Sequence, residues 1–202
     1  MSLPYSQSCE NNKMAIATIL DSCFSESKHV LEVGSGTGQH AVFFAKRLPH
    51  LIWQTSDQSH YHSGINAWLD KEPSPNLRPP LALDVMQHWP VNSTGLSTID
   101  AIFTANTLHI MSKDMVKAFF CGAGQHIAVH GQLCIYGPFN YQGNYTSDSN
   151  RHFDRWLAAQ NPNSAIRDFE WIIQLATEQQ FVLVKDHPMP ANNRILHFKK
   201  RA

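Results

Sequence analysis

Three glycines at alternate positions, Gly34, Gly36 and Gly38, follow a short apolar run broken by one acid, Glu32. They lead into HAVFFAKRL, whose apolar residues recur on one helical face and which stops at Pro49. Strand, glycine turn, helix is how an open α/β sheet brings backbone N–H groups up to a ligand at a helix start. The spacing selects the ligand. A dinucleotide fingerprint needs its third glycine where Gln39 stands, and a phosphate-gripping loop needs Gly-Lys-Ser/Thr, which is absent. A nicotinamide oxidoreductase is disfavoured on the same ground. What remains is a turn without side chains, against which a ligand can lie closely. Asp57 comes about 20 residues beyond the glycines, where a carboxylate would accept two hydrogen bonds from a ribose diol. Asn106 and His109, in ANTLHI, end a further apolar run, and in such sheets ligands lie beyond the carboxyl ends of the strands. The His109 imidazole can take a proton near neutral pH, which makes it the leading candidate for a base, against the plainer role of a structural loop histidine.

Those residues require strands and helices in strict alternation. Residues 10–24 have a helical apolar spacing (Ile16, Ile19, Leu20, Cys23) and precede the first strand, where they could cover the site. A second strand is expected at 51–55, a helix through Ile65, Trp68 and Leu69, and a proline-rich break at 73–80. Short strands follow at 81–84 and 99–104. The pattern predicts a helix over 112–130, with Ser112 as N-cap and Gly131 as the stop, then a strand at 133–136. This rhythm indicates a parallel sheet covered on both faces. Residues 137–149 form a polar, aromatic-studded loop too long for a simple connector. Helices at 150–160 and 166–180 and strands at 181–185 and 194–199, joined by HPMPANN, complete the chain.

The 202 residues fit one domain, and 43% apolar with 16% charged content reads as globular. Sixteen basic and sixteen acidic residues cancel, so no global field draws the chain to nucleic acid or anionic membrane. Neither a signal pattern nor a membrane-length apolar run is visible, and a cytoplasmic setting is expected. Cys9, Cys23, Cys121 and Cys134 lack C-x-x-C spacing and read as plain thiols. His126 and His130, four apart, and His60-x-His62 lack the further ligands of a catalytic zinc site, so no metal is expected.

Glu-x-Gly-x-Gly-x-Gly resembles the first motif of class I S-adenosylmethionine-dependent methyltransferases. VLEVGSGTGQHAVFFAKRLPHLIWQTSD, NTLHI, YGPF, SNRHFD, IRDFEW and MPANN together resemble one small methyltransferase-like family of unknown function found in bacteria and animals. Where that family carries glycine before Ile-Arg, this chain has Ala165. The resemblance implies a Rossmann-like α/β fold: a mostly parallel seven-stranded sheet, an antiparallel last strand between its neighbours, and helices on both faces. It implies a single domain over 1–202, with an N-terminal helical cover at 1–28 and a substrate lid at 137–165. S-adenosylmethionine is the implied cofactor, held by Glu32, Gly34, Ser35, Gly36, Gly38, His40, Asp57, Asp84, Val85 and Asn106, and by Asn12 from the family's Glu-x-Asn pattern. Asp84 matches the position that meets the adenine amino group.

The expected reaction is methyl transfer to a small-molecule acceptor, with a protein acceptor open and nucleic acid disfavoured. Tyr136, Phe139, Ser149, Asn150, Asp154 and Arg167 are the candidate acceptor-site residues, with Tyr141, Tyr145 and the pair Asn192-Asn193 nearby in role. Each has a packing alternative. The competing function is a cofactor-binding regulatory module without turnover.

Overall fold

A computed structural model describes residues 3–91 and 98–202; the first two residues of the expected cover lie outside this range. Helix α1 (Gln7–Cys23) starts where the Ser6 hydroxyl accepts from the Cys9 N–H. Next come β1 (His29–Val33), α2 (Gln39–Arg47), β2 (Ile52–Asp57), α3 (His62–Lys71), β3 (Leu77–Ala82) and β4 (Ile99–Ala105). The second half holds α4 (Lys113–His126), β5 (Ile127–Gly137), β6 (Phe139–Asn140), α5 (Asp148–Gln160) and β7 (Arg167–Asp168). The chain closes with α6 (Phe169–Glu178), β8 (Phe181–Met189) and β9 (Asn193–Lys200).

The seven-stranded sheet has the order β3-β2-β1-β4-β5-β9-β8. Its first five strands are parallel, and β9 runs antiparallel between β5 and β8, as expected. Period-two alternation sends successive residues of each strand to opposite faces. Val30 joins Phe44, Trp53 and Phe103 beneath α1–α3, while Leu31 and Val33 join Phe119, Phe120 and Ile172 beneath α4 and α6. Both faces are thereby buried, as a parallel sheet requires.

Three expectations fail for tertiary reasons. The proline-rich stretch is not a break: β3 runs through Pro79 and Pro80. It is an edge strand, so the missing N–H groups cost no ladder partner on the outer side. Gln54 Nε2 donates to Pro79 O (2.6 Å) and Thr55 Oγ1 to Arg78 O (2.8 Å) across a register shift. Helix α4 begins at Ser112 as expected, but ends at His126 rather than 130. Ile127 pairs with Ile99, and the chain bulges through His130 (φ 69°) before Gln132 rejoins β4 opposite Ala101. Residues 166–180 are not one helix either. Arg167 and Asp168 pair with Phe139 and Asn140 inside the expected loop, and α6 starts only at Phe169.

Candidate active site

The glycine turn leaves β1 and closes on α2 with Gly34, Gly36 and Gly38 all at positive φ (78°, 56°, 89°). Its N–H groups are directed inward. Those of Gly34 and Ser35 donate to Ser56 O, that of Gly36 to Asp57 Oδ2 (2.7 Å) and that of Gly38 to Ser35 O. These four N–H groups are thus paired within the protein. The glycines serve different ends. A Cβ on Gly34 would stand 2.6 Å from Thr107 Cγ2, and one on Gly38 would press on the Ile65 backbone at 3.1 Å. At Gly36 it would meet nothing within 4 Å, so this residue borders open space.

That space is a cavity of about 670 Å³, within the range of small-molecule sites. Gly34, Ser35, Gly36 and His40 line it from the turn, Asn12 from α1, and Asn106 and His109 from the end of β4. Tyr136 of β5 and Ser149 and Asn150 of α5 complete the expected set. Asn106 holds φ 59°, a left-handed conformation that asparagine tolerates better than most residues.

Other expected residues are not among those that line this cavity. Glu32 is buried under the turn, where its Oε2 accepts from Ser35 Oγ (2.9 Å) and Trp53 Nε1 (3.1 Å). Asp57 holds the turn through Gly36, with its Oδ1 accepting from the Gln58 N–H (2.7 Å). Asp84 accepts from the Met86 N–H (2.9 Å), and Val85 packs in the core. Phe139 is core as well. Asp154 accepts from the Ile166 N–H and from the Tyr145 hydroxyl, while Tyr141 donates to Asp186, so these two tyrosines fasten loops. Arg167 donates to the carbonyls of Leu108, Met111 and Asn163. Ala165, whose φ is not left-handed, donates its N–H to His109 O, so the missing glycine costs nothing.

Lining residues that the sequence did not single out include Ser8, Cys9, Thr37, Phe153 and Ala191. Helical spacing held a usable signal: Ser8 and Cys9 share a face with Asn12, and Phe153 stands one turn beyond Asn150. Cover and lid are both fastened down. Gln39 Nε2 donates to Glu10 Oε1 (2.9 Å) and His40 Nε2 lies 2.7 Å from Asn12 Oδ1. The Glu-x-Asn pattern of α1 thus grips the first two residues of α2. On the lid, Asn150 Nδ2 donates to Asn192 O (3.2 Å).

Burial sets the charges here. It pushes the Glu32 carboxyl from 4.5 up to about 7, and it holds His40 and His109 down at about 4, with Arg167 adding to the shift at His109. For Glu32 the folded value exceeds the unfolded one. Its contribution to stability is full below about pH 4.5 and is lost as pH rises through 7, amounting to about 3 kcal/mol. The histidines contribute fully above about pH 6.5, and that contribution is lost as pH falls through 4. Stability is expected to rise from pH 4.5 to 6.5, where two histidines outweigh one carboxyl. Relative to the parent, Glu32→Gln is expected to gain about 3 kcal/mol between pH 5 and pH 8. Urea unfolding at the two pH values measures this, and an unchanged difference would remove Glu32 as the source.

A family model described as "Protein of unknown function (DUF938)" matches residues 3–200. The chain belongs to the DUF938 family. The solved structures similar to this DUF938 chain include an O-methyltransferase family protein from Burkholderia thailandensis (TM-score 0.80, 12% identity, 94% of this chain and 56% of that one). Another is NcsB1, an O-methyltransferase from neocarzinostatin biosynthesis, in complex with S-adenosylmethionine and 2-hydroxy-5-methyl naphthoic acid (TM-score 0.77, 14% identity, 95% and 54%). A third is an O-methyltransferase family 2 protein from Planctomyces limnophilus in complex with apigenin (TM-score 0.77, 16% identity, 94% and 56%). The DUF938 chain spans about half the length of these proteins and shares their class I methyltransferase fold. Among its described residues no helix is long and apolar enough to cross a membrane.

Proposed function

We propose that this protein transfers a methyl group from S-adenosylmethionine to a small-molecule acceptor. The observation that carries the reading is one cavity shared by the open glycine turn and by the lid residues Ser149, Asn150 and Phe153, with His109 between elements of both. The inward-turned N–H groups of the turn count against a phosphate-bearing ligand in the same place.

Bound S-adenosylmethionine would supply a methyl group on a sulfonium centre. Gly36 leaves room for its close approach, and Glu32 sets the turn through Ser35. The Asp57 carboxylate has lone pairs left for a ribose diol after the two N–H donors it accepts. Asp84 and Val85 are assigned to the adenine side, and Asn12, His40 and Asn106 to the walls. Helices α1 and α5 exclude water, which favours an in-line displacement between aligned groups. His109, neutral through the physiological range, can hydrogen-bond an acceptor hydroxyl through its free imidazole nitrogen. The burial and Arg167 that lower its pKa to about 4 weaken it as a base until the acceptor's developing charge offsets them. Phe153 lies edge-on to it (5.2 Å between ring centroids) and offers an apolar wall. The naphthoic acid and apigenin bound by the structural neighbours support a small hydroxylated aromatic as the first acceptor class to test. Free cysteines throughout fit a reducing, cytoplasmic setting.

Calorimetry with S-adenosylmethionine, followed by an S-adenosylhomocysteine release assay on phenolic acids, flavonoids and peptides, tests the proposal. Donor binding with turnover is expected. Binding without turnover on any acceptor would favour a regulatory module, and no donor binding by folded protein would reject both. His109→Gln is expected to keep donor affinity and to lower kcat about 10²-fold. Equal kcat on an identified acceptor would make His109 structural.

A further inference from the structure

Away from the cavity, the last residue of α1 meets the sheet between β5 and β9. Cys134 and His197 are direct cross-strand partners there, and their side chains therefore leave the same face. Cys23 caps the arrangement, with its Sγ 3.4 Å from His197 Nδ1. One ligand atom each from Cys23, Cys134 and His197 lies within 4.8 Å of the other two.

The imidazole is oriented for donation. Gln132 Nε2 donates to His130 O (3.0 Å), which turns its Oε1 toward His197 Nε2 at 2.7 Å. The proton on His197 is thereby placed on Nε2, leaving the Nδ1 lone pair facing Cys23. A carbonyl holding the far nitrogen of a histidine is the usual support of a metal ligand. A second imidazole lies close by. The His187 ring stacks on His197 (6.2 Å between centroids), and its Nε2 is buried with no hydrogen-bond partner among the described residues. A surface cavity of about 550 Å³, lined by Cys23, His197 and Gln132, provides an entry path.

We propose that Cys23, Cys134 and His197 form a site for one thiophilic d¹⁰ cation, Zn²⁺ or Cu⁺. Two thiolates with an imidazole are the donor set those ions select. Binding requires both sulfurs as thiolates and releases the thiol proton shared by the cysteine pair to solvent, while His197 keeps its Nε2 proton on Gln132. The ion ties the end of α1 to β5 and β9. The opposite half of α1 carries Asn12 and roofs the cofactor cavity, so occupancy steadies that roof.

The test is calorimetric titration of the untagged full chain, thiols kept reduced, with ZnCl₂ and separately with Cu⁺ buffered by a competing chelator. One equivalent of either ion with proton release is expected. Cys23→Ser and His197→Gln, checked for native circular dichroism, are expected to abolish that equivalent, and Gln132→Ala to weaken it about 10-fold. His60→Gln/His62→Gln is expected to bind as the parent does. Absence of stoichiometric binding of both ions, or binding unchanged in folded Cys23→Ser and His197→Gln, overturns the site. Because the readout is metal binding, it stands whether or not the methyl-transfer reading holds.

Discussion

Gly36→Val is expected to lower affinity for S-adenosylmethionine by about 10³-fold or more while the domain still folds. An added Cβ at this position meets no protein atom within 4 Å, so the branched side chain projects into space assigned to the donor. The left-handed φ of 56° costs a β-branched residue about 1–3 kcal/mol, which a domain of ordinary stability survives. Gly34→Ala is the contrasting variant. Its methyl meets Thr107 Cγ2 at 2.6 Å, so the damage falls on the contact between the turn and the end of β4, and Thr107→Ser relieves it in part. Calorimetry and thermal melts on the same samples separate the two effects. A folded Gly36→Val protein with parental affinity would remove the donor from this turn.

Arg167→Met is expected to destabilise the fold by about 3–5 kcal/mol. The guanidinium is 5% exposed and donates to three backbone carbonyls, those of Leu108, Met111 and Asn163. Among the described residues it has no ion-pair partner within 4.0 Å; its hydrogen bonds are all to main chain. Each carbonyl left unpaired costs about 1–3 kcal/mol, and relief of the buried charge returns part of the sum. Lysine, with a point charge in place of a planar fork, is expected to rescue little. Urea unfolding measures the change, and a loss under about 1 kcal/mol would contradict it. Because Leu108 and Met111 flank His109, the variant is also expected to raise the KM for acceptor more than the Kd for donor.

Local chemistry made the glycine turn and its flanking elements legible. Alternate glycines demand positive φ, Ser112 supplies its own cap, and short apolar runs mark β1 and β4; each is decided within a few residues. Where the outcome depended on a distant partner, the sequence misled. Pro79 and Pro80 look like breakers, yet an edge position removes their cost. Residues 127–130 carry apolar spacing that suits the tail of α4, but pairing with Ile99 draws Ile127 into β5. Arg167 and Asp154 carried both a substrate and a packing reading in the sequence; in the fold Arg167 donates to backbone carbonyls and Asp154 accepts from a backbone N–H.

By itself the sequence determined the strand, glycine turn and helix, the alternation of strands and helices, and the strand end beyond which Asn106 and His109 lie. These follow from short-range rules of backbone conformation and side-chain period. Only the tertiary structure decided which residues line the cavity and which brace it, because burial and hydrogen-bond partners come from elements far apart in the chain. The same holds for Cys23, Cys134 and His197: their spacing matches no ligand motif, and they become neighbours only where the end of α1 crosses the β5–β9 pair.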